Sequence, residues 1–199
     1  MSKFAPIVCW IGIIAVLPFI GSIQATWADD IADCNQSANP DLIIRGCTNL
    51  IVSTRLEVDD LASAYNNRGH AYYSKGDLDG AIADYNEAIE IKPDYALAYA
   101  NRGVAYLAKG DPDRAITDCN FAIANKWRYA DAYYNRGNAY HSKGNLKRAI
   151  ADYSKAIEIT ADYAAAYANR SSAYRQRGKT RRADADCNKA KSIDADIKC

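Results

Sequence analysis

Apolar and small side chains recur over the last two thirds of the chain with a constant period of 34 residues. Within one period, residues 62–95, two segments place such side chains at spacings of three and four residues, as a helix with one buried face does. The first segment carries Tyr65, Ala71 and Tyr72, and the second carries Ala81 and Tyr85. The pattern predicts two antiparallel helices in each period, and in the first period these cover about 64–75 and 78–91.

The boundaries of the predicted helices repeat with the same period. A glycine, which can end a helix in the left-handed conformation, separates the two helices. These glycines are Gly76, Gly110, Gly144 and Gly178. Asp77 is placed to cap the second helix, and Pro93 ends it. One hairpin of this size cannot bury enough apolar surface alone, so the four units are expected to stack. They cover 62–95, 96–129, 130–163 and 164–197.

Residues 29–61 resemble a fifth, degenerate unit that would cap the array as a helical hairpin. The spacing of Asp41, Ile44, Cys47 and Ile51 repeats that of the second helix in residues 113–123. The same alignment places Cys34 on the facing helix, so a disulfide between Cys34 and Cys47 is expected.

The N-terminus has the features of an export signal. Lys3 precedes an apolar stretch over residues 7–23, and Thr26-Trp27-Ala28 resembles a cleavage site, which predicts a signal peptide over 1–28. The alternative is an uncleaved membrane anchor, because the stretch is marginally long enough to span a bilayer. We therefore expect a periplasmic or secreted protein that touches a membrane only if the segment stays uncleaved.

Export permits disulfides and leaves an odd number of cysteines, five, in the mature chain. Cys119 and Cys187, two units apart in a buried row, are not expected to pair. A bond between Cys187 and Cys199 is a weaker prediction, since a chain terminus is free to fold back or fray.

The remaining composition excludes several function classes. After residue 28 the chain has 24 basic and 24 acidic residues, which gives no support for nucleic-acid binding. No Ser-His-Asp set, glycine-rich phosphate loop or paired carboxylates occur, so we expect neither enzymatic activity nor a cofactor. The two histidines, His70 and His141, have no further ligand at metal-binding spacing, so no metal is expected.

The run from Tyr65 to Asp77, together with Ala88 and Pro93, resembles a tetratricopeptide repeat of the Asn-Arg-Gly variety common in bacterial exported proteins. The resemblance implies an all-α fold, a right-handed α-solenoid of stacked helix-turn-helix repeats. The fourth unit departs from the pattern, because Ser171 replaces a glycine and Asp184 replaces an isoleucine. Polar residues there suit a terminal repeat with no further neighbour.

First helices of stacked repeats line the concave groove, and each carries an asparagine before its arginine. These are Asn67, Asn101, Asn135 and Asn169. The row resembles the asparagine ladder of O-GlcNAc transferase, where such side chains hold peptide backbone through amide donors and acceptors. The alternative is that these asparagines only bond neighbouring helices. Further groove candidates are Asn138 and the two histidines of the inner face, His70 and His141. Most tyrosines belong to the repeat rows and are expected in the core, whereas Tyr73 and Tyr134 are expected to be free to touch a ligand.

The chaperone-tail-binding subfamily is a poor match, because it needs lysines and an arginine on this face. The corresponding positions include Asn66, Leu97 and Tyr134.

A row of arginines occupies positions where the family usually places an apolar residue: Arg68, Arg102, Arg136 and Arg170. An aspartate follows each arginine after 16 residues: Asp84, Asp118, Asp152 and Asp186. Because an unpaired buried charge is costly, we expect four ion pairs across the two helices of one repeat. Pairing with the adjacent repeat, which would give three pairs, is the alternative.

These observations predict a protein–protein interaction adaptor that binds peptide or protein segments of unknown identity in its groove. The alternative is a structural or oligomerising subunit that associates through its end or convex faces, with exposed Trp127-Arg128-Tyr129 as an anchor. An accessory module of cell-wall or secretion enzymes is not separable from the first hypothesis by sequence.

Overall fold

The structure, a computed structural model, describes residues 19–53, 55–126 and 128–199. These residues form ten helices and no strand. The helices are α1 (Phe19–Gln36), α2 (Pro40–Val52), α3 (Val58–Ser74), α4 (Leu78–Ile91), α5 (Ala96–Ala108), α6 (Pro112–Asn125), α7 (Ala130–Ser142), α8 (Leu146–Ile159), α9 (Ala164–Gln176) and α10 (Thr180–Ile193). The predicted all-α solenoid of helical hairpins is confirmed.

The contacts between helices define an inner and an outer layer. Each odd-numbered helix packs against the next helix of its own hairpin and, from α3 onward, against the second helix of the preceding hairpin. Neighbouring odd-numbered helices also touch one another, whereas no contact joins α4 to α6 or α6 to α8 within the described part of the chain. The odd-numbered helices therefore form the inner, concave layer.

The hairpin turns follow from the glycines and caps of the sequence. All four turn glycines have positive φ, between 70° and 82°, where a side chain would be strained. Asp77 accepts a hydrogen bond from the Gly80 N–H at 2.9 Å, and Asp111 accepts one from the Arg114 N–H at 3.0 Å. Each bond satisfies an otherwise unpaired donor of the first helical turn.

α3 begins at Val58, nearly two turns earlier than predicted. Asp59 and Asp60 lie in its first turn, where negative charge is favourable at the positive end of the helix dipole. Asp59 also accepts a hydrogen bond from Lys92 Nζ at 2.8 Å, which ties this first turn to the loop after α4.

Glycine in the first helix of a repeat matches tyrosine in the second. A Cβ added to Gly137 would lie 2.7 Å from Tyr153 Cε1, and one added to Gly69 would lie 2.9 Å from Tyr85 Cε1. Where the facing residue is Cys119, a Cβ on Gly103 would meet its Sγ at 3.3 Å. The larger ring therefore requires the bare backbone of glycine.

This relation explains the exception in the last repeat. Ser171 faces the row that holds Cys187 rather than tyrosine, and it is fully buried. Its hydroxyl donates to the Ala183 carbonyl at 2.7 Å, which satisfies the buried oxygen. The departure at Ser171 thus fits a smaller facing side chain as well as a terminal position.

The N-terminal hairpin is closed by the predicted disulfide between Cys34 and Cys47, whose Cα atoms are 4.7 Å apart. Both cysteines belong to one buried cluster with Leu50, and Trp27 packs against this cluster. The predicted cleavage bond after Ala28 lies inside α1. Most of the predicted apolar signal segment, residues 7–18, and its Lys3 lie outside the described residues, and no described helix is long and apolar enough to cross a membrane.

The C-terminal repeat carries a second disulfide, between Cys187 and Cys199, with Cα atoms 5.7 Å apart. The bond predicted as the weaker one is therefore present, because the tail after α10 turns back onto that helix. Cys119 is free, and its burial raises the pKa of the thiol to about 12. The thiol consequently stays protonated at neutral pH.

Candidate functional site: the concave groove

The arginine row fixes the inner helices to the outer ones. In each of the four repeats, Nε and Nη2 of the arginine donate to the two carboxylate oxygens of the aspartate 16 residues later, at 2.7–2.9 Å. Both partners are largely buried; Arg102 and Asp118 keep 18% and 5% of their side-chain surface exposed. The ion pairs therefore lie within one repeat, as favoured from the sequence. The neighbouring carboxylate raises the pKa of each arginine despite the opposing effect of burial.

Each arginine also reaches the preceding repeat. Arg102 Nη1 donates to Asn86 Oδ1 at 2.6 Å, and Arg136 Nη1 donates to Asn120 Oδ1 at 2.7 Å. Thr48 and Ser154 take the same role for Arg68 and Arg170. One guanidinium thus joins three helices of two repeats, and the adjacent repeat supplies a neutral acceptor instead of the alternative aspartate.

A tyrosine three residues before each arginine covers the guanidinium. The distance from the arginine Cζ to the ring centre is 5.3 Å for Tyr65 and 5.4 Å for Tyr99, Tyr133 and Tyr167. Neither this stacking nor the neutral acceptors were predicted from the sequence. Both could have been recognised there, because the tyrosines and the polar acceptor residues recur at the same position in every full repeat.

The concave layer contains two open cavities. The larger, about 520 Å³, lies between the N-terminal hairpin and the first full repeats and is lined by Asn66, Asn67, His70, Leu97 and Asn101, among others. The smaller, about 280 Å³, is lined by Leu107, Asn138, His141, Ser142, Tyr153, Asn169 and Ser172. Neither lining includes Asp, Glu, Lys or Arg. The cavities therefore combine amide, imidazole and aliphatic groups without a fixed charge.

Three asparagines of the predicted ladder bond to the preceding hairpin. Asn67 Nδ2 donates to Asn35 Oδ1 at 3.0 Å, and Asn101 Nδ2 donates to Asn66 Oδ1 at 3.0 Å. Asn169 Nδ2 donates to Asn138 Oδ1 at 2.8 Å and to the Tyr134 hydroxyl at 3.0 Å. These three amides therefore join neighbouring hairpins. This is what the alternative predicts, in which the asparagines only bond neighbouring helices.

Asn135 differs from the other three members of the row. Its amide makes no hydrogen bond with any residue of the described ranges, and the side chain is half-buried on the inner helix α7. One turn further along, Asn138 Oδ1 accepts from Tyr153 Oη at 2.9 Å as well as from Asn169, while its own Nδ2 donates to no described residue. The middle of the groove thus presents amide donors and an acceptor free for a ligand.

The two tyrosines predicted to be free for a ligand are half-buried in packing contacts. Tyr73 packs against Ala81 and Tyr85. The ring of Tyr134 lies 5.0 Å from that of Tyr163 and 6.0 Å from that of Tyr153. Each ring therefore helps to fill the gap between adjacent helices and keeps only part of its surface exposed.

The two histidines occupy separate cavities. His70 is exposed at the larger cavity, and His141 Nε2 lies 3.1 Å from Gln176 Nε2 at the smaller one. Within the described ranges no group of three or more His, Cys, Asp or Glu residues is arranged to hold a metal.

One residue of the suggested convex anchor, Tyr129, takes part in the packing between repeats. Tyr129 is half-buried and packs against Ala100, Ala122 and Ala132 between two repeats. Burial raises the pKa of its hydroxyl to about 12. Trp127 lies outside the described residues.

Three family models match the chain: TPR repeat over residues 69–110, and tetratricopeptide repeat over 130–162 and 164–197. The chain belongs to the tetratricopeptide repeat family. No curated protein sequence matches this tetratricopeptide repeat protein significantly.

Solved structures of the same fold include MamA, which is 26% identical over 90% of this chain and 97% of that chain, with a TM-score of 0.67. The first TPR of Spaghetti (RPAP3), bound to the HSP90 peptide SRMEEVD, is 26% identical over 60% of this chain and 95% of its own, with a TM-score of 0.59. A thermophilic TPR protein of Thermus thermophilus, TTC0263, is 17% identical over 87% of this chain and 92% of its own. Its TM-score of 0.69 shows the fold alone.

Proposed function

We propose that this protein is an exported adaptor that binds an extended, uncharged segment of another protein along its concave groove. The observation that carries the proposal is the unbonded amide of Asn135, which stands beside the free Nδ2 of Asn138 on the inner layer. Extended backbone offers alternating donors and acceptors, which such amides match. The family is a scaffold for protein–protein interaction, and the peptide-bound RPAP3 structure supports a peptide as the ligand.

The residues that line the two cavities indicate that the bound segment is uncharged. The RPAP3 peptide SRMEEVD carries three acidic residues. Among the described residues, neither cavity of this groove is lined by a Lys or Arg side chain. A segment with small polar and aliphatic side chains meets no unpaired charge in either cavity. An acidic tail would lose its hydration there without gaining an ion pair.

Random peptides displayed on phage provide the test, since the natural partner is unidentified. Peptides selected on the mature protein should be uncharged, and Asn135→Ala should weaken their binding about tenfold, corresponding to about 1.4 kcal/mol. The melting temperature should stay unchanged, because the amide bonds to no residue within the described ranges. Fluorescence anisotropy with a labelled selected peptide measures the affinity.

Asn169→Ala is the matched control, because it removes an amide that bonds two groups of the preceding repeat. It should lower the melting temperature. Selected peptides that bind wild-type protein and the Asn101→Ala/Asn135→Ala double variant equally well would refute the groove proposal.

The export part of the proposal rests on the residues before Asp29 and on the two disulfides. Cleavage after Ala28 would remove Trp27 from its cluster and leave eight residues of α1, which the Cys34–Cys47 bond would hold against α2. N-terminal sequencing of protein recovered from a bacterial periplasm should begin at Asp29. Recovery of the full-length chain in the cytoplasm would contradict export.

A further inference from the structure

The balanced net charge of the mature chain conceals a strong separation along it. Residues 29–95 hold 13 acidic and five basic residues, whereas residues 96–199 hold 11 acidic and 19 basic ones. The solenoid therefore has an acidic N-terminal part and a basic C-terminal part. Groove binding of an uncharged segment does not use this separation.

The positive charge is concentrated where a ladder of ion pairs breaks off. Along the edge formed by the hairpin turns, Lys75 pairs with Asp41, Lys109 with Asp79 and Lys143 with Asp113. At the equivalent positions between the last two repeats, Arg177 and Lys147 replace the lysine and the aspartate.

These two cations make no ion pair with any described residue, and with Lys143 they line an open cavity of about 500 Å³. Exposed Lys179 and Arg181 follow on the same turn and on α10. We call Lys143, Lys147, Arg177, Lys179 and Arg181 the basic cluster.

The opposite edge carries an acidic cluster near the other end of the array. Its members, Glu57, Asp59, Asp60, Glu90 and Asp94, are all exposed. Among them lies Lys92, which pairs with Asp59 and is also influenced by Asp94. The acidic cluster therefore keeps an excess of negative charge.

One copy cannot join its own clusters. They lie on opposite edges, separated by the length of the helices, about 20 Å for 13 residues, and they belong to repeats at opposite ends of the array. Two copies displaced along the solenoid axis bring one copy's turn edge against the other copy's loop edge. We propose that the basic cluster of one copy binds the acidic cluster of a second copy.

Such a contact joins different surfaces of the two copies, so it is heterologous and leaves one cluster open at each end. Association should therefore continue beyond dimers and produce a concentration-dependent series of chains. Exposed charges interact over about 30 Å at 0.01 M salt but only about 8 Å at 0.15 M. The contact should accordingly weaken steeply with ionic strength.

Sedimentation velocity of the mature, oxidised protein tests this proposal. At micromolar concentrations and 20 mM NaCl, the weight-average mass should rise with concentration, and 300 mM NaCl should lower the association constant at least tenfold. Lys147→Glu/Arg177→Glu and, separately, Asp60→Lys/Glu90→Lys should each abolish the self-association. An equimolar mixture of these two variants should associate again, because each offers the charge that the other needs.

Lys189→Glu/Lys191→Glu is the control, because it makes the same change in net charge outside the basic cluster and should associate like wild type. Asn135→Ala should also associate normally, which separates this result from the groove proposal. Wild-type protein that stays monomeric at 20 mM NaCl overturns the inference. The inference is also overturned if the two charge-reversal variants fail to associate when mixed. It is likewise overturned if the basic cluster binds vesicles of phosphatidylglycerol but no second copy of the protein.

Discussion

At the scale of single residues, the guanidinium of each repeat connects three helices of two repeats. Arg102 holds both oxygens of Asp118, reaches Asn86 in the preceding repeat and lies under Tyr99. An aspartate that loses its charge leaves this cation without compensation in a largely buried position. Because desolvation offsets much of the attraction, we expect the intact pair to contribute more to the register of the helices than to net stability.

Asp118→Ala should lower the free energy of unfolding by about 3 kcal/mol, because it leaves the buried Arg102 charge uncompensated. Urea denaturation followed by circular dichroism measures the change. Asp79→Ala, which removes an exposed partner of Lys109, is the control and should have little effect. Equal losses for the two variants would show that burial of the arginine row does not matter.

At the scale of helices, the facing pairs of glycine and tyrosine set how closely two helices of one repeat approach. Gly137 gives Tyr153 the space that a side chain would fill, whereas Gly103 faces the smaller Cys119 and tolerates a methyl group better. The choice of glycine or serine in the first helix is therefore coupled to the residue in the second helix.

Gly137→Ala should destabilise the protein by about 1–3 kcal/mol through overpacking. Gly103→Ala should be less destabilising, because its nearest contacts lie at 3.3 Å instead of 2.7 Å and alanine is the better helix former by about 1 kcal/mol. Adding Tyr153→Cys to Gly137→Ser reproduces the pair found at Ser171 and Cys187, and a double-mutant cycle should show favourable coupling between the two sites. Additive effects in thermal unfolding would argue against this account.

Much of this architecture could be predicted from the 34-residue period of the sequence. Regular spacing was enough for the hairpins, the turn glycines, the arginine–aspartate pairs and the Cys34–Cys47 bond, since each depends on register alone. It was not enough to single out Asn135, because the bonds of Asn101 and Asn169 depend on which neighbouring amide or hydroxyl their side chains reach. The path of the tail that brings Cys199 to Cys187 is likewise not encoded in a period.

At the scale of the whole molecule, the first and last hairpins of the described residues each pack against another hairpin on one side only, and each is closed by a disulfide. In a stack of repeats, the total stability is approximately the sum of the intrinsic stability of each unit and the stabilisation from each interface. A unit with one interface is therefore less stable than a unit with two. A covalent link at each end compensates for the missing interface. The middle repeats have interfaces on both sides and need no such link.

Replacing both Cys34 and Cys47 by serine should therefore destabilise the N-terminal hairpin by about 3 kcal/mol, the value expected for a loop of this size. Hydrogen exchange should accelerate in α1 and α2 and stay unchanged in α7 and α8. Serine at Cys119 is the matched control for loss of a buried thiol without a crosslink. Faster exchange throughout the chain would mean that the array unfolds as one unit.

The hydrogen bond from each arginine to the preceding repeat also matters for engineering the length of the protein. Each repeat supplies an acceptor at one end and a guanidinium at the other, and the acceptor is an asparagine at the two junctions that join the first three full repeats. A second copy of residues 96–129 inserted after residue 129 would place Arg102 of the added unit against Asn120, which Arg136 uses now. The groove would lengthen by one unit without a new kind of contact, which makes this chain a scaffold of adjustable span.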